Sequence, residues 1–330
     1  MDAGKGEGKL SLAVEHVDHD QLLHDGLSLL IHEYNLFNEI VPEIYALVPD
    51  FSKWRLVLTG DIAATVNAIE GRHEGNAYTT NRGAGHVGGI TLPREDGIFD
   101  IVLGAQIFVS PPGDHEDLEG LVDNARKTAK HLARHEAGHM LLRLRNEDDQ
   151  QYRNLTRLEP TAAGWADIVA AYMDDFRIER HTREFTPPVF RHQDDLGAAI
   201  DHLSSELTAA KSTWALDLDG AARRSDIAVS GFIRVIAYLS SELGLAEDGE
   251  PAFPEIIPEK WDRYLGTAWP LWSNKFHELR PAHEPMSKEQ LAAVLTDLCD
   301  LASRWSSAIG YERGITSDGR MYAYWTEDAY

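Results

Sequence analysis

One stretch constrains this chain more than any other. Leu118, Leu121, Val122, Ala125, Ala129, Leu132, Met140 and Leu144 recur at helical spacing, which predicts one long helix over 118–144. Inside it the sequence reads His135-Glu136-Ala137-Gly138-His139. Residues four apart stand above one another on one helical face. The two imidazoles can therefore converge on a single ion, and Glu136 beside them can reach a water on that ion. The dipeptide His-Glu occurs six times in the chain, but only at His135 does a second histidine follow at this distance. Two solvated histidines on an amphipathic helix would be the plainer reading of the same letters.

Composition narrows the donors. Cys299 is the single cysteine, so neither an intrachain disulfide nor a cysteine-rich zinc module can form. Histidine occurs 15 times, and a metal site must draw on imidazole and carboxylate. Lys and Arg total 31 against 54 Asp and Glu, a net charge of -23 over 330 residues. That surplus argues against nucleic acid, whose phosphates need basic surface, and against anionic membranes. No apolar run approaches the length of a membrane span. The first ten residues are small, polar and Gly-rich, with no signal-peptide pattern, so the cytoplasm is the expected compartment.

The pattern along the chain predicts a flexible tail over 1–20, an α/β metal-binding region over 21–185 and a mainly α-helical lobe over 186–330. Residues 20–45 read as one helix, 54–59 as a strand, and 61–70 as a helix capped by Asp61 and stopped by Gly71. Residues 86–92 and 100–109 read as strands joined by an Asp96-Gly97 turn. Further helices are expected over 162–183, 194–213, 225–243 and 287–307, the last opening with Ser287 and Gln290 at capping-box spacing. The aromatics of 261–272 and 310–330 read as core of the helical lobe, with a short hairpin at the end.

An open zinc site wants a third protein ligand. A third histidine six residues beyond His139 is excluded, because Arg145 stands there. The better source is the next helix, which carries Asp174, Asp175 and Glu179. Trp165, Ile168, Val169, Tyr172 and Phe176 form its apolar stripe, and Asp175 and Glu179 fall on or beside it. Inward carboxylates are costly unless paired or metal-bound. Asp175 is read as the ligand and Glu179 as its supporter, with the reverse kept open beside a helix-edge ion pair to Arg183. Asp174 and Arg177 are read as solvated surface.

These residues carry a resemblance. HExxH followed some tens of residues later by an acidic helix resembles the zincin metallopeptidases of the gluzincin type. Asp174-Asp175-Phe176-Arg177-Ile178-Glu179 is similar to an acid-Asp-x-Arg-Ile-Glu signature of zincin-like bacterial proteins, some associated with von Willebrand A domains. The resemblance covers about residues 50–185. In gluzincins the ligand Glu precedes an Asp by four, whereas here Asp precedes Glu. The fold implied is α+β and zincin-like: a twisted mixed sheet packed on the HExxH helix, then a mainly α-helical lobe that closes a cleft. It also implies that 105–110 (AQIFVS) is an edge strand that pairs with an extended peptide.

Other candidates carry less. His16, His19 and His24 lie among Asp18, Asp20 and Asp25, where a solvated polar face outweighs a surface metal site. The Gly-rich run 83–89 lacks the ending of a phosphate loop and reads as a mobile loop or a connector. Tyr172, His181, Arg191 and His192 are in reach of an oxyanion role, and sequence singles out none.

The expected function is zinc-dependent hydrolysis of peptide bonds in a peptide or protein substrate. His135, His139 and Asp175 would hold one Zn2+, with Glu179 in support and Glu136 as general base. Two alternatives stand beside it. Two histidines and one carboxylate also make a ferrous-iron site for non-peptidase chemistry, and an inactive zincin fold could serve as a partner-binding module.

Overall fold

The computed structural model describes residues 9–80, 87–113, 115–316, 318–327 and 330. Residues 1–8 of the expected tail and 83–86 of the Gly-rich run lie outside them. The chain divides into two compact units. The first takes the described residues up to 80 with 87–144 and 182–190, and the second takes 145–181 and those from 191 onward.

The first unit is built on a four-stranded sheet, β1 (Ser11–Glu15), β2 (Trp54–Thr59), β3 (Gly89–Pro93) and β4 (Phe99–Gly104), in the order β1-β2-β4-β3. β1 and β4 run parallel to β2, and β3 pairs antiparallel with β4. Central strands covered on both faces read as near-continuous apolar runs, and WRLVLT and FDIVLG do so. Their side chains alternate between faces. Trp54, Leu56, Leu58, Phe99, Ile101 and Leu103 enter one cluster, and Val57 and Val102 enter another on the opposite face.

Helices α1 (Gln21–His32), α2 (Phe37–Leu47), α4 (Gln106–Val109) and α5 (Leu118–Leu144) contribute to the first cluster, and α3 (Ile62–Ile69) to the second. Asp61 caps α3 by accepting from the Ala64 amide, and Gly71 follows at φ +61°. Gly97, at φ +78°, turns the β3–β4 hairpin, as the Asp-Gly pair predicts.

Several boundaries differ from expectation. The helix expected over 20–45 is two, broken at Glu33–Leu36 where Asn35 takes φ +53°. Ser11–Glu15, inside the stretch read as tail, is an edge strand hydrogen-bonded to β2. The strand expected over 100–109 stops at Gly104, and Gln106–Val109 is one helical turn. The AQIFVS edge strand is therefore absent. The sheet edges are β1 and β3.

The second unit is mainly helical: α6 (Asp149–Tyr152), α7 (Pro160–Ala163), α8 (Ala166–Phe185, whose last turn counts with the first unit), α9 (Leu196–Thr213), α10 (Leu218–Leu243), α11 (Trp269–His277) and α12 (Lys288–Ala308). The helix expected over 162–183 is thus α7 and α8, parted around Gly164. The unit ends in the antiparallel hairpin β5 (Tyr311–Ile315) and β6 (Met321–Trp325). Its core is aromatic, with Trp165, Trp261, Trp269, Trp272, Phe276, Trp305 and Trp325 all buried. Several of the buried indoles pair their N–H. Trp305 donates to the Tyr264 carbonyl at 2.7 Å and Trp325 to Ser225 Oγ at 2.9 Å. Ser287 and Gln290 close the capping box that starts α12. Among the described residues no helix is long and apolar enough to cross a membrane.

Candidate metal centre

The N-terminal half of α5 has the solvated face that its periodicity predicts. Residues 131–138 do not, because all eight are buried. Polar side chains there need partners. Arg134 donates to Glu43 of α2 at 2.7 Å and lies 4.7 Å above the Phe185 ring. Thr91 Oγ1, on β3, stands 2.9 Å from both the backbone carbonyl and the Oε2 of Glu136. Strand β3 can come this close because Gly89 has no side chain. A Cβ there would meet Glu136 Oε1 at 2.8 Å and Leu103 Cδ2 at 2.9 Å.

Three histidines, not two, share this stripe. His131 precedes His135 by one four-residue step, and His139 follows by another. The rings of His131 and His135 are near parallel with centroids 6.4 Å apart, and those of His135 and His139 are near perpendicular at 5.3 Å. Phe190 sets its ring against His131 at 5.1 Å. His131 was missed in the sequence reading, although its i, i+4, i+8 spacing with His135 and His139 was visible. His139 is half-buried, and its pKa is pushed down to about 3, first by burial and then by His135 and Arg143. It is held as neutral imidazole, the form that binds metal.

On α8, Glu179 is fully buried and Asp175 is half-buried. Both carboxylates belong to the second unit, whereas His131, His135 and His139 belong to the first. Within the first unit, α5 alone brings His131, His135, Glu136 and His139 onto successive turns, a largely buried His/carboxylate grouping able to take a metal ion. Two imidazoles and one carboxylate suit zinc or ferrous iron.

Two neighbours on α8 correct the sequence reading. Asp174 and Arg177, expected on the solvated surface, are buried. Asp174 accepts from the Tyr152 hydroxyl at 2.9 Å and from the Asp149 amide at 2.8 Å, and burial pushes its carboxyl well above the usual carboxylate range. Arg177 pairs with Glu147 at 2.7 Å and donates to the carbonyls of Arg280 and Glu284. The apolar stripe does not mark the only inward face of this helix, because polar groups of the second unit cover another.

The remaining candidates are placed as follows. His16, His19 and His24 are exposed. The Tyr172 hydroxyl is 3.0 Å from Ser230 Oγ, and His181 Nδ1 is 2.9 Å from His283 Nδ1. Exposed Arg191 reaches Glu255, and the His192 amide donates to Glu242.

No family profile matches this chain, and neither a curated protein nor a solved structure matches it.

Proposed function

We propose that the chain is a zinc-dependent peptidase of zincin-like type, with His135, His139 and Asp175 holding the ion and Glu179 in support. The observation that carries this reading is the HExxH turn itself, enclosed within the first unit with its Glu136 carboxylate held by Thr91. When bound, the ion makes a water acidic near neutral pH and polarises the carbonyl under attack. Glu136 takes the proton of the attacking water and passes it to the leaving amine. Thr91 orients that carboxylate by hydrogen bonding, and β3 places Thr91. His139 stays neutral and so keeps a lone pair for the ion.

In this reading the substrate strand pairs with β3 instead of with residues 105–110. β3 ends the sheet order and pairs with β4 on one side. An extended peptide adds to the other side by main-chain hydrogen bonds, next to Glu136.

A second reading draws on the buried pair His131 and His135 of α5, which with one carboxylate would make the donor set of a non-haem ferrous site. Metal analysis of protein purified without added metal separates the two.

The test of the main reading is substitution with both metal content and cleavage of unfolded protein as readouts. Glu136→Gln keeps the ion and loses hydrolysis by at least about 100-fold, the scale of a lost general base. His135→Ala loses the ion. A Glu136→Gln protein with full activity sinks the mechanism.

A further inference from the structure

A cavity in the first unit draws no residue from α5. Arg55 on β2 and Asp100 on β4 are register partners. Alternation along both strands puts them on the face that carries Val57 and Val102, which α3 covers. Helix α3 stops at Ile69, and a cavity of about 800 Å³ opens beyond its end. The sheet lines it with Arg55 and Asp100, the end of α3 with Ile69 and Glu70, and the β3–β4 hairpin with Pro93, Arg94 and their neighbours. All of these belong to the first unit.

Asp100 is only 1% exposed. Its Oδ1 accepts from Arg55 Nε at 2.7 Å and stands 4.0 Å from Arg94 Nη1. Its Oδ2 is enclosed as well and has no hydrogen-bond partner among the described residues. A buried carboxylate oxygen without a donor is costly, and a ligand N–H relieves that cost. Arg55, held through Nε, keeps its terminal nitrogens for an acceptor. The charges around them are already paired: Arg94 with Asp96 at 3.1 Å, and Glu70 with Arg72 at 2.6 Å. The hairpin keeps its shape without a ligand, since the Arg94 amide donates to the Ile98 carbonyl at 2.8 Å.

A charged donor thus stands beside a charged acceptor. A simple anion would meet Arg55, but also Asp100 Oδ2, Glu70 and Glu95. A simple cation would meet Oδ2, but also Arg55 and Arg94. A ligand that carries both charges a few bonds apart satisfies donor and acceptor together. We propose that this cavity binds a small zwitterion of the α-amino acid type, with its carboxylate on Arg55 and its ammonium on Asp100 Oδ2. Exposed Arg94 adds a second cation beside the carboxylate. Ile69 and Pro93 favour an apolar side chain, and Glu70 and Glu95 disfavour an acidic one. The site does not rest on the peptidase reading.

Equilibrium dialysis of the full-length protein against L-leucine tests the site. Isocaproate and isopentylamine serve as analogues that lack the ammonium and the carboxylate, respectively. L-leucine is expected to bind, and each analogue to bind at least about tenfold more weakly, the scale of a lost hydrogen bond to a charged group. Arg55→Gln weakens L-leucine by the same factor. Arg94→Ala, at an exposed position that leaves folding intact, weakens it by about threefold. His135→Ala binds L-leucine as wild type does, whatever becomes of hydrolysis. Absence of L-leucine binding overturns the proposal. Equal binding of isocaproate overturns it in favour of a carboxylate site, and equal binding of isopentylamine in favour of a cation site. L-leucine binding that neither Arg55→Gln nor Arg94→Ala weakens overturns it too, because the ligand then sits elsewhere.

Discussion

Helices α5 and α8 both bury strings of charged residues, and they do so by different routes. On α5 the first half keeps a solvated face, and residues 131–138 form its longest fully enclosed run. There the sheet and α2 supply the partners, Thr91 for Glu136 and Glu43 for Arg134. On α8 no residue from Tyr172 to Arg183 is exposed. Asp174 and Arg177 are satisfied by short segments between the long helices: Asp149 and Tyr152 of the one-turn α6 on one side, Glu147 and the Arg280 and Glu284 carbonyls on the other. An apolar stripe locates the buried side of a helix only while another side meets water. α5 keeps that condition for half its length, and α8 fails it.

The sharpest way to break this contrast is Arg177→Met on α8. The variant leaves Glu147 buried without its counter-charge, and the expected cost is about 3–5 kcal/mol, read from urea denaturation. A cost under about 1 kcal/mol would mean that α8 tolerates an unpaired charge and that its burial is not held by ion pairing. Gly89→Ala tests the sheet side of α5. It forces a methyl against Glu136 and Leu103, with an expected loss of about 1–3 kcal/mol and a fall in hydrolysis as Glu136 is displaced. Unchanged stability and activity would show that β3 does not set the position of Glu136. Lys127→Ala, on the solvated face of α5, removes an exposed pair with Asp123. The same denaturation should shift by less than about 0.5 kcal/mol, and a larger effect would erase the distinction between the two halves of α5.

The contrast also explains what was legible in the sequence. α5 could be placed from Leu118 to Leu144 because its apolar spacing repeats throughout, and β2 because both of its faces are apolar. The Ser287 capping box, the Asp61 cap and the Gly97 turn are local chemistry and sit where they were expected. Asp174 and Arg177 were misplaced because their partners lie in segments that periodicity treats only as breaks between helices. The helix at Gln106–Val109 was misread because AQIFVS has strand composition, while its Ala105 amide closes onto the Thr59 carbonyl and turns the chain out of the sheet. His131 was passed over because attention to one motif stopped at its own boundaries.

The Leu279–Met286 segment carries one more consequence. Arg145, Arg177 and Arg180 all grip it through carbonyl oxygens, which every amino acid possesses. Such a grip reads where the chain passes and ignores which residues pass. Over evolutionary time the exposed residues of the segment are free to change, while Leu279, Ala282 and Met286 are held by the core, and the segment cannot gain or lose a residue. An inserted residue would slide every later carbonyl out of register with the three guanidinium groups.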